Sequence, residues 1–214
     1  MAYPTISAPY GLKPVNLIGG QSYAGSTRLM QIASGVVNAI YFGDLVQRDT
    51  DGTIIRVAPG AALPATGVVG VFVGCTYVNA QGQQIFAQYC PAGLTPPSGT
   101  IQGYVVDDPD ALFKVAVVSA GTAISGVQYS AIGENAELVD NGGSTTTGDA
   151  ATGLLDATAA TASFPVRIVD VVPDTAYVSG GNTLYPEVIV KINAPYANAG
   201  VIEGGHSYRV GTGN

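Results

Sequence analysis

The stretch VVGVFVGCTYVNAQGQQIFAQYC, from Val68 to Cys90, constrains this chain more than any other. Valine, phenylalanine, threonine and tyrosine dominate Val68 to Val78, and such branched or aromatic side chains fit a pleated, half-buried surface better than a helix. Asn79 to Gln83 supplies turn chemistry, Gly82 can take a positive φ, and Ile85 to Cys90 returns as the partner strand. Simple alternation puts Val69, Val71, Val73 and Tyr77 on one side of the first strand, and Val68, Phe72 and Val78 on the other. Both sides are apolar. The strand therefore needs cover on both faces, from a second sheet, from barrel closure or from a neighbouring subunit.

Short β-forming runs recur on either side of this hairpin. Ile40 to Val46 and Thr53 to Val57 read as strands joined by a turn over Asp49 to Gly52, where Asp51-Gly52 is a strong hairpin signal. Tyr104 to Val106, Leu112 to Val118, Val127 to Ile132, Ala136 to Asp140, Phe164 to Val172 and Glu187 to Ile192 complete the set. In the Phe164 to Val172 run, Val166, Ile168 and Asp170 share one face, and Arg167, Val169 and Val171 the other. Residues 141–162 are small and polar and read as an exposed loop with one strand-like core at Leu154 and Leu155. Nine or more short strands between Gly, Pro, Asn and Asp turns, without an amphipathic helix, predict an all-β fold: a compact β-barrel or jelly-roll-like sandwich.

Residues 1–35 lack a sustained period and contain Pro4, Pro9 and Pro14, so they read as an extended N-terminal arm stiffened by proline. Tyr3, Tyr10 and Tyr23 set this segment apart from a solvated tail, where aromatics are scarce. Residues 36–192 form the expected body, and the glycine-rich residues 193–214 a C-terminal arm. No internal repeat or clear domain boundary interrupts the body.

Charged residues make up only 11% of the 214, against 47% apolar. Soluble domains carry about 25%. A chain this poor in charge is expected to hide much of its exterior in an assembly, or to coat it with uncharged polar groups. Eight Lys and Arg against fifteen Asp and Glu give a net charge of −7. No cationic cluster could neutralise phosphates, which disfavours nucleic acid as a partner. No apolar run is long enough for a membrane-spanning helix, and the N-terminus lacks the pattern of a signal peptide, so synthesis in a cytoplasm is expected.

The residues offer little to catalysis and no cofactor is expected. The one histidine, His206, falls in the glycine-rich tail. Cys75 and Cys90 lack metal-ligand spacing and read as two buried small hydrophobes. A turn on Gly82 and Gln83 would set them opposite each other, whereas a turn on Gln81 and Gly82 would pair Cys75 with Gln88. Asp107, Asp108 and Asp110 form the only acidic cluster. Around Pro109 they read first as a turn in which aspartates bond nearby backbone, and second as a divalent-cation site.

The segments APYGLKPV (Ala8–Val15), GVFVGCTYVNAQGQQIFAQYCPAG and YVVDDPDALFKV together resemble a family of tailed-phage virion proteins described as capsid cement or decoration proteins. Cys90 stands where that family more usually has an aromatic. The resemblance covers roughly residues 8 to 118 plus the EVIVKINA strand. It implies a small β-barrel or jelly-roll-like body that sits as a trimer on the outer surface of an icosahedral shell, with the major capsid protein as partner and no enzymatic residues. Low charge density and negative net charge agree with that placement. The expected contacts are Tyr3, Pro4, Tyr10, Leu12 and Pro14 in the first arm and Tyr196, Tyr208 and Arg209 in the last, so deleting residues 1–15 should abolish shell binding and leave the barrel folded. The alternative is a carbohydrate-binding or adhesion module of the virion, using exposed tyrosines to stack on sugars.

Overall fold

A computed structural model describes residues 6–57, 68–160 and 164–193. In chain order its strands are β1 (Lys13–Leu17), β2 (Arg28–Ile32), β3 (Leu45–Arg48), β4 (Ile54–Arg56), β5 (Val68–Val78), β6 (Gln84–Ala87), β7 (Ile101–Val106), β8 (Ala111–Ala120), β9 (Ala123–Ile124), β10 (Asn135–Val139), β11 (Gly153–Ala159), β12 (Val166–Val171), β13 (Tyr177–Ser179), β14 (Asn182–Leu184) and β15 (Glu187–Ile192). The helical residues among those described are two single 3₁₀ turns, one of them at Tyr129–Ala131 where a strand was expected. The all-β barrel architecture read from the turn-punctuated runs is present.

The body is two closed sheets rather than one. The first runs β3-β4-β2-β7-β5, and a further β3–β5 pairing closes the ring, with β6 attached outside it on β5. The second runs β8-β11-β10-β12-β15 and closes through β8–β15, with β1 attached on β8. The chain passes from one to the other at Asp107–Asp110. There the Asp108 side chain accepts a hydrogen bond from the Asp110 amide at 2.8 Å, and the Ala111 amide donates to the Asp108 carbonyl at 3.1 Å. This is the expected aspartate turn. Its outer members are engaged in ion pairs, Asp107 with Arg28 at 2.8 Å and Asp110 with Lys191 at 3.2 Å.

The central hairpin forms where the sequence placed it, but its register matches neither of the two turns considered. Cys75 faces Ala87 and Val78 faces Gln84. The reason is a wider turn held by one side chain: Asn79 Oδ1 accepts from the amides of Gln81 (3.0 Å) and Gln83 (2.9 Å), and Gly82 takes φ +78°. Two bulges, one against β3 between Val68 and Gly70 and one against β7 between Phe72 and Gly74, break the period-2 alternation along β5. Val68 and Val71 consequently pack into the core that the second sheet encloses, while Val69, Phe72 and Cys75 fill the interior of the first. Cover on both faces is present; the division of residues between them is corrected. A bulge between Ile168 and Asp170 has the same effect in β12, turning Val171 to the core side with Val166 and Ile168.

Two segments expected outside the body are part of it. The described portion of residues 1–35 contributes β1 to the second ring and β2 to the first, so it ties the two together within one molecule. Residues 141–162, read as an exposed loop, contain β11, which lies between β8 and β10 with Leu154 fully buried. Small residues are needed there for packing. An added Cβ at Gly143 would fall 2.3 Å from the ring of Tyr41, and one at Gly153 would fall 2.8 Å from the Val118 side chain. Residues 144–147 are exposed as expected and Leu154 and Leu155 lie in a strand as their pattern predicts, whereas residues 148–154 are packed into the body.

Gly70 marks the closest approach among the described glycines. A Cβ there would lie 2.2 Å from the Val106 carbonyl oxygen, a backbone atom that cannot move aside by rotamer change. The Gly70→Ala variant is expected to lose about 1–3 kcal/mol through overpacking. Urea unfolding should show a lower midpoint at unchanged slope.

Candidate interaction surface

The outer face of the first ring carries accessible apolar side chains brought together by strand pairing. Register aligns Leu29, Tyr104 and Gly74 in one row across β2, β7 and β5. The next row is Gln31, Gln102, Thr76 and Phe86, ending on β6. Neither row contains a charged residue. Leu29 is 55% exposed and Phe86 68% exposed. Polar groups between them satisfy one another, as where Gln84 Nε2 donates to Thr76 Oγ1 at 3.2 Å.

Gly74 opens this face into a groove. It has φ +143° and lacks a side chain, leaving an open depression of about 550 Å³ lined by Tyr104, Phe86, Ala87, Val73 and Phe42. Its polar end is built by Gln88, Asp149 and Lys13: Gln88 Nε2 donates to Asp149 Oδ1 at 3.0 Å, and Lys13 Nζ stands 3.8 Å from the same oxygen. The groove thus lies where the two rings meet, with an aromatic floor and a single neutralised charge pair at its rim. On the outer side β6 ends the sheet, and no backbone pairing beyond β5 is formed by Gln84–Ala87 among the described residues.

Of the residues expected to make contacts, three are described, and all three belong to the body. Leu12 is fully buried in the core beneath the second ring. Pro14 sits in β1 opposite Phe113. Tyr10 donates its hydroxyl to Glu187 Oε1, and its ring is flanked by Lys13 Nζ at 5.0 Å and Lys114 Nζ at 5.7 Å from the centroid. Lys114 Nζ also pairs with Glu187 at 3.2 Å. Burial, together with the hydrogen bond and charge of Glu187, pushes the Tyr10 phenol far above its ordinary pKa, so it stays a neutral donor. Tyr10 is a fastening of the fold rather than a free contact. Tyr3, Pro4, Tyr196, Tyr208 and Arg209, like His206, lie outside the described residues.

Two further clusters sit inside the body. Cys75 and Cys90 are both free and buried in the first ring. Cys75 Sγ reaches the Tyr89 carbonyl at 3.4 Å, and hydrogen bonding to Cys90 with burial holds the Cys75 thiol well above its ordinary pKa. Sequence spacing gave no sign of the second cluster: Arg56 on β4 reaches Asp44 at 3.7 Å and pairs through Nη2 with Asp140 at the end of β10, joining the two rings. Asp44 is 2% exposed and also accepts from the Tyr41 amide at 2.8 Å and the Thr152 hydroxyl at 3.2 Å. Burial nevertheless dominates and pushes its carboxyl up to about 7. Among the described residues no group of three or more His, Cys, Asp or Glu is arranged to hold a metal ion.

Comparison with known proteins gives no match to this chain among family models, curated proteins or solved structures.

Proposed function

We propose that this protein is a non-enzymatic decoration subunit of a tailed-phage virion, made in the host cytoplasm, that binds the outer surface of an icosahedral shell as a homotrimer and stabilises the contacts between capsomers. The observation that carries the reading is the charge-free face of the first ring, with Leu29, Tyr104 and Phe86 set among glutamines. Exposed apolar side chains gathered on one face of a body are a feature of surfaces that meet another protein. The low charge content of the whole chain and its net charge of −7 fit an outward position, away from nucleic acid.

Two measurements test it. Light scattering coupled to size exclusion should give three times the chain mass of 21.6 kDa. Purified protein mixed with undecorated phage shells should pellet with them at saturating stoichiometry. A single-chain mass with no pelleting sinks the proposal.

The groove supports a second reading, an adhesion module. Phe86, Tyr104 and Phe42 offer aromatic surface beside the amide of Gln88 and the carboxylate of Asp149, a combination suited to a sugar ring. Binding to a glycan array, lost in Phe86→Glu, would put this reading first.

A further inference from the structure

We infer that the groove at Gly74 receives the C-terminal segment, residues 194–214, of a second copy of this chain, with an apolar side chain set between Tyr104 and Phe86. The inference rests on the self-association part of the reading above, and not on the shell as partner.

A depression lined by aromatic side chains holds an added segment by selecting one apolar side chain from it. Gly74 on β5 leaves that depression between Tyr104 on β7 and Phe86 on β6, because any other residue at that position would fill it.

Residues 194–214 carry Tyr196, Val201, Ile202, Tyr208 and Val210, while their ionisable side chains are Glu203, His206, Tyr196, Tyr208 and Arg209. Such a segment matches a receiving face that is itself free of charge except for the Lys13–Asp149 pair at the rim. Buried charges would need partners on both sides, and here few are present to be buried.

Strand β15 runs from Glu187, which meets Tyr10 and Lys114, to Lys191, which pairs with Asp110, and Asn193 then donates to Phe164 O at 2.9 Å; none of these residues lines the groove of the same chain. Fully extended, residues 194–214 span roughly 70 Å, ample for reaching a neighbour.

The test uses the full chain in two complementary variants. Phe86→Glu damages the groove and leaves the segment intact; Phe86 is largely exposed, so folding is preserved. Tyr196→Asp with Tyr208→Asp damages the segment and leaves the groove intact. Val37→Glu, at another highly exposed apolar position outside both rows, serves as control. Each groove or segment variant should weaken self-association by about tenfold or more, as loss of an aromatic anchor does, and circular dichroism should match wild type. Val37→Glu should keep the wild-type mass. Mixed in equal amounts, the two damaged variants should associate through the one intact pairing, giving a mass near twice 21.6 kDa.

Wild-type mass retained by either damaged variant overturns the inference. So does a mixture that stays at the single-chain mass, which would place the segment in its own groove or elsewhere. Oligosaccharide binding lost in Phe86→Glu but not in the segment variant, without a change in mass, overturns it in favour of the adhesion reading. Co-sedimentation of the wild-type chain with shells is read separately, so failure of the shell reading leaves this result standing.

Discussion

Leu12→Ala is expected to destabilise the protein by about 2–5 kcal/mol, and deletion of residues 1–15 is expected to prevent folding rather than merely block assembly. Leu12 is fully buried, and truncation to alanine removes its methyl groups from a core that can close only partly over the void. The backbone around it is equally committed. The Gly11 amide donates to Thr152 O and the Leu12 amide to Gly43 O, both at 3.0 Å. At the crossing, Gly11 and Gly43 both have positive φ, and a Cβ on Gly43 would lie 2.8 Å from the Leu12 nitrogen. Deleting residues 1–15 removes this crossing, the Tyr10–Glu187 hydrogen bond and the first half of β1. Equilibrium urea unfolding of Leu12→Ala checks the magnitude; a loss under about 1 kcal/mol would show that the crossing contributes little. For the deletion, a wild-type circular dichroism spectrum and melting transition would restore the picture of a detachable arm.

The second large effect is a pH dependence centred on Asp44. Its carboxyl has an ordinary value of 3.8 and is pushed up to about 7 in the fold, because burial outweighs Arg56 and the hydrogen bonds from Tyr41 and Thr152. Between those values the folded protein binds more protons at this site than the unfolded chain. Stability attached to Asp44 is therefore fully present below about pH 4 and is lost as pH rises through about 7. Above about pH 8 both states are ionised and the contribution no longer changes. Each pH unit separating the folded from the unfolded value is worth about 1.36 kcal/mol, so the full swing reaches about 4 kcal/mol. Other carboxylates tilt the total curve, and therefore the quantity to measure is the difference between wild type and Asp44→Asn from about pH 4 to about pH 8. Wild type should lose ground to the variant as pH rises. A difference that stays flat, or grows in favour of wild type, would mean that Arg56 holds Asp44 ionised throughout.

The position of Asp44 also shows why such a site is hard to see in a sequence. Arg56 and Asp140 are remote in the chain and sit in different rings, and each alone reads as an ordinary surface charge. Only the closure of both sheets brings them together around Asp44. Tyr10 makes the same point from the other direction. An aromatic between prolines looks like a contact residue, yet its partner Glu187 is supplied by a strand near the other end of the chain. The groove likewise depends on pairing, because Leu29, Tyr104, Gly74 and Phe86 become neighbours only through the register of four strands.

What the residues determined by themselves is local in origin. Branched and aromatic runs chose strands, Asn79, Asp51-Gly52 and the Asp107–Asp110 stretch chose turns, and the two-faced apolarity of β5 required cover on both sides. These preferences are written in side-chain shape and in hydrogen bonds spanning a few residues, so they survive without knowledge of the rest. Tertiary structure decided the remainder: the bulges that reassigned the faces of β5 and β12, the closure into two rings, the recruitment of residues 13–17 and 28–32 into sheets, and the placing of the strand around Leu154 and Leu155 between β8 and β10. A bulge is a compromise between two strands, and a weak strand is fixed by its neighbours. Neither can be read from one strand alone.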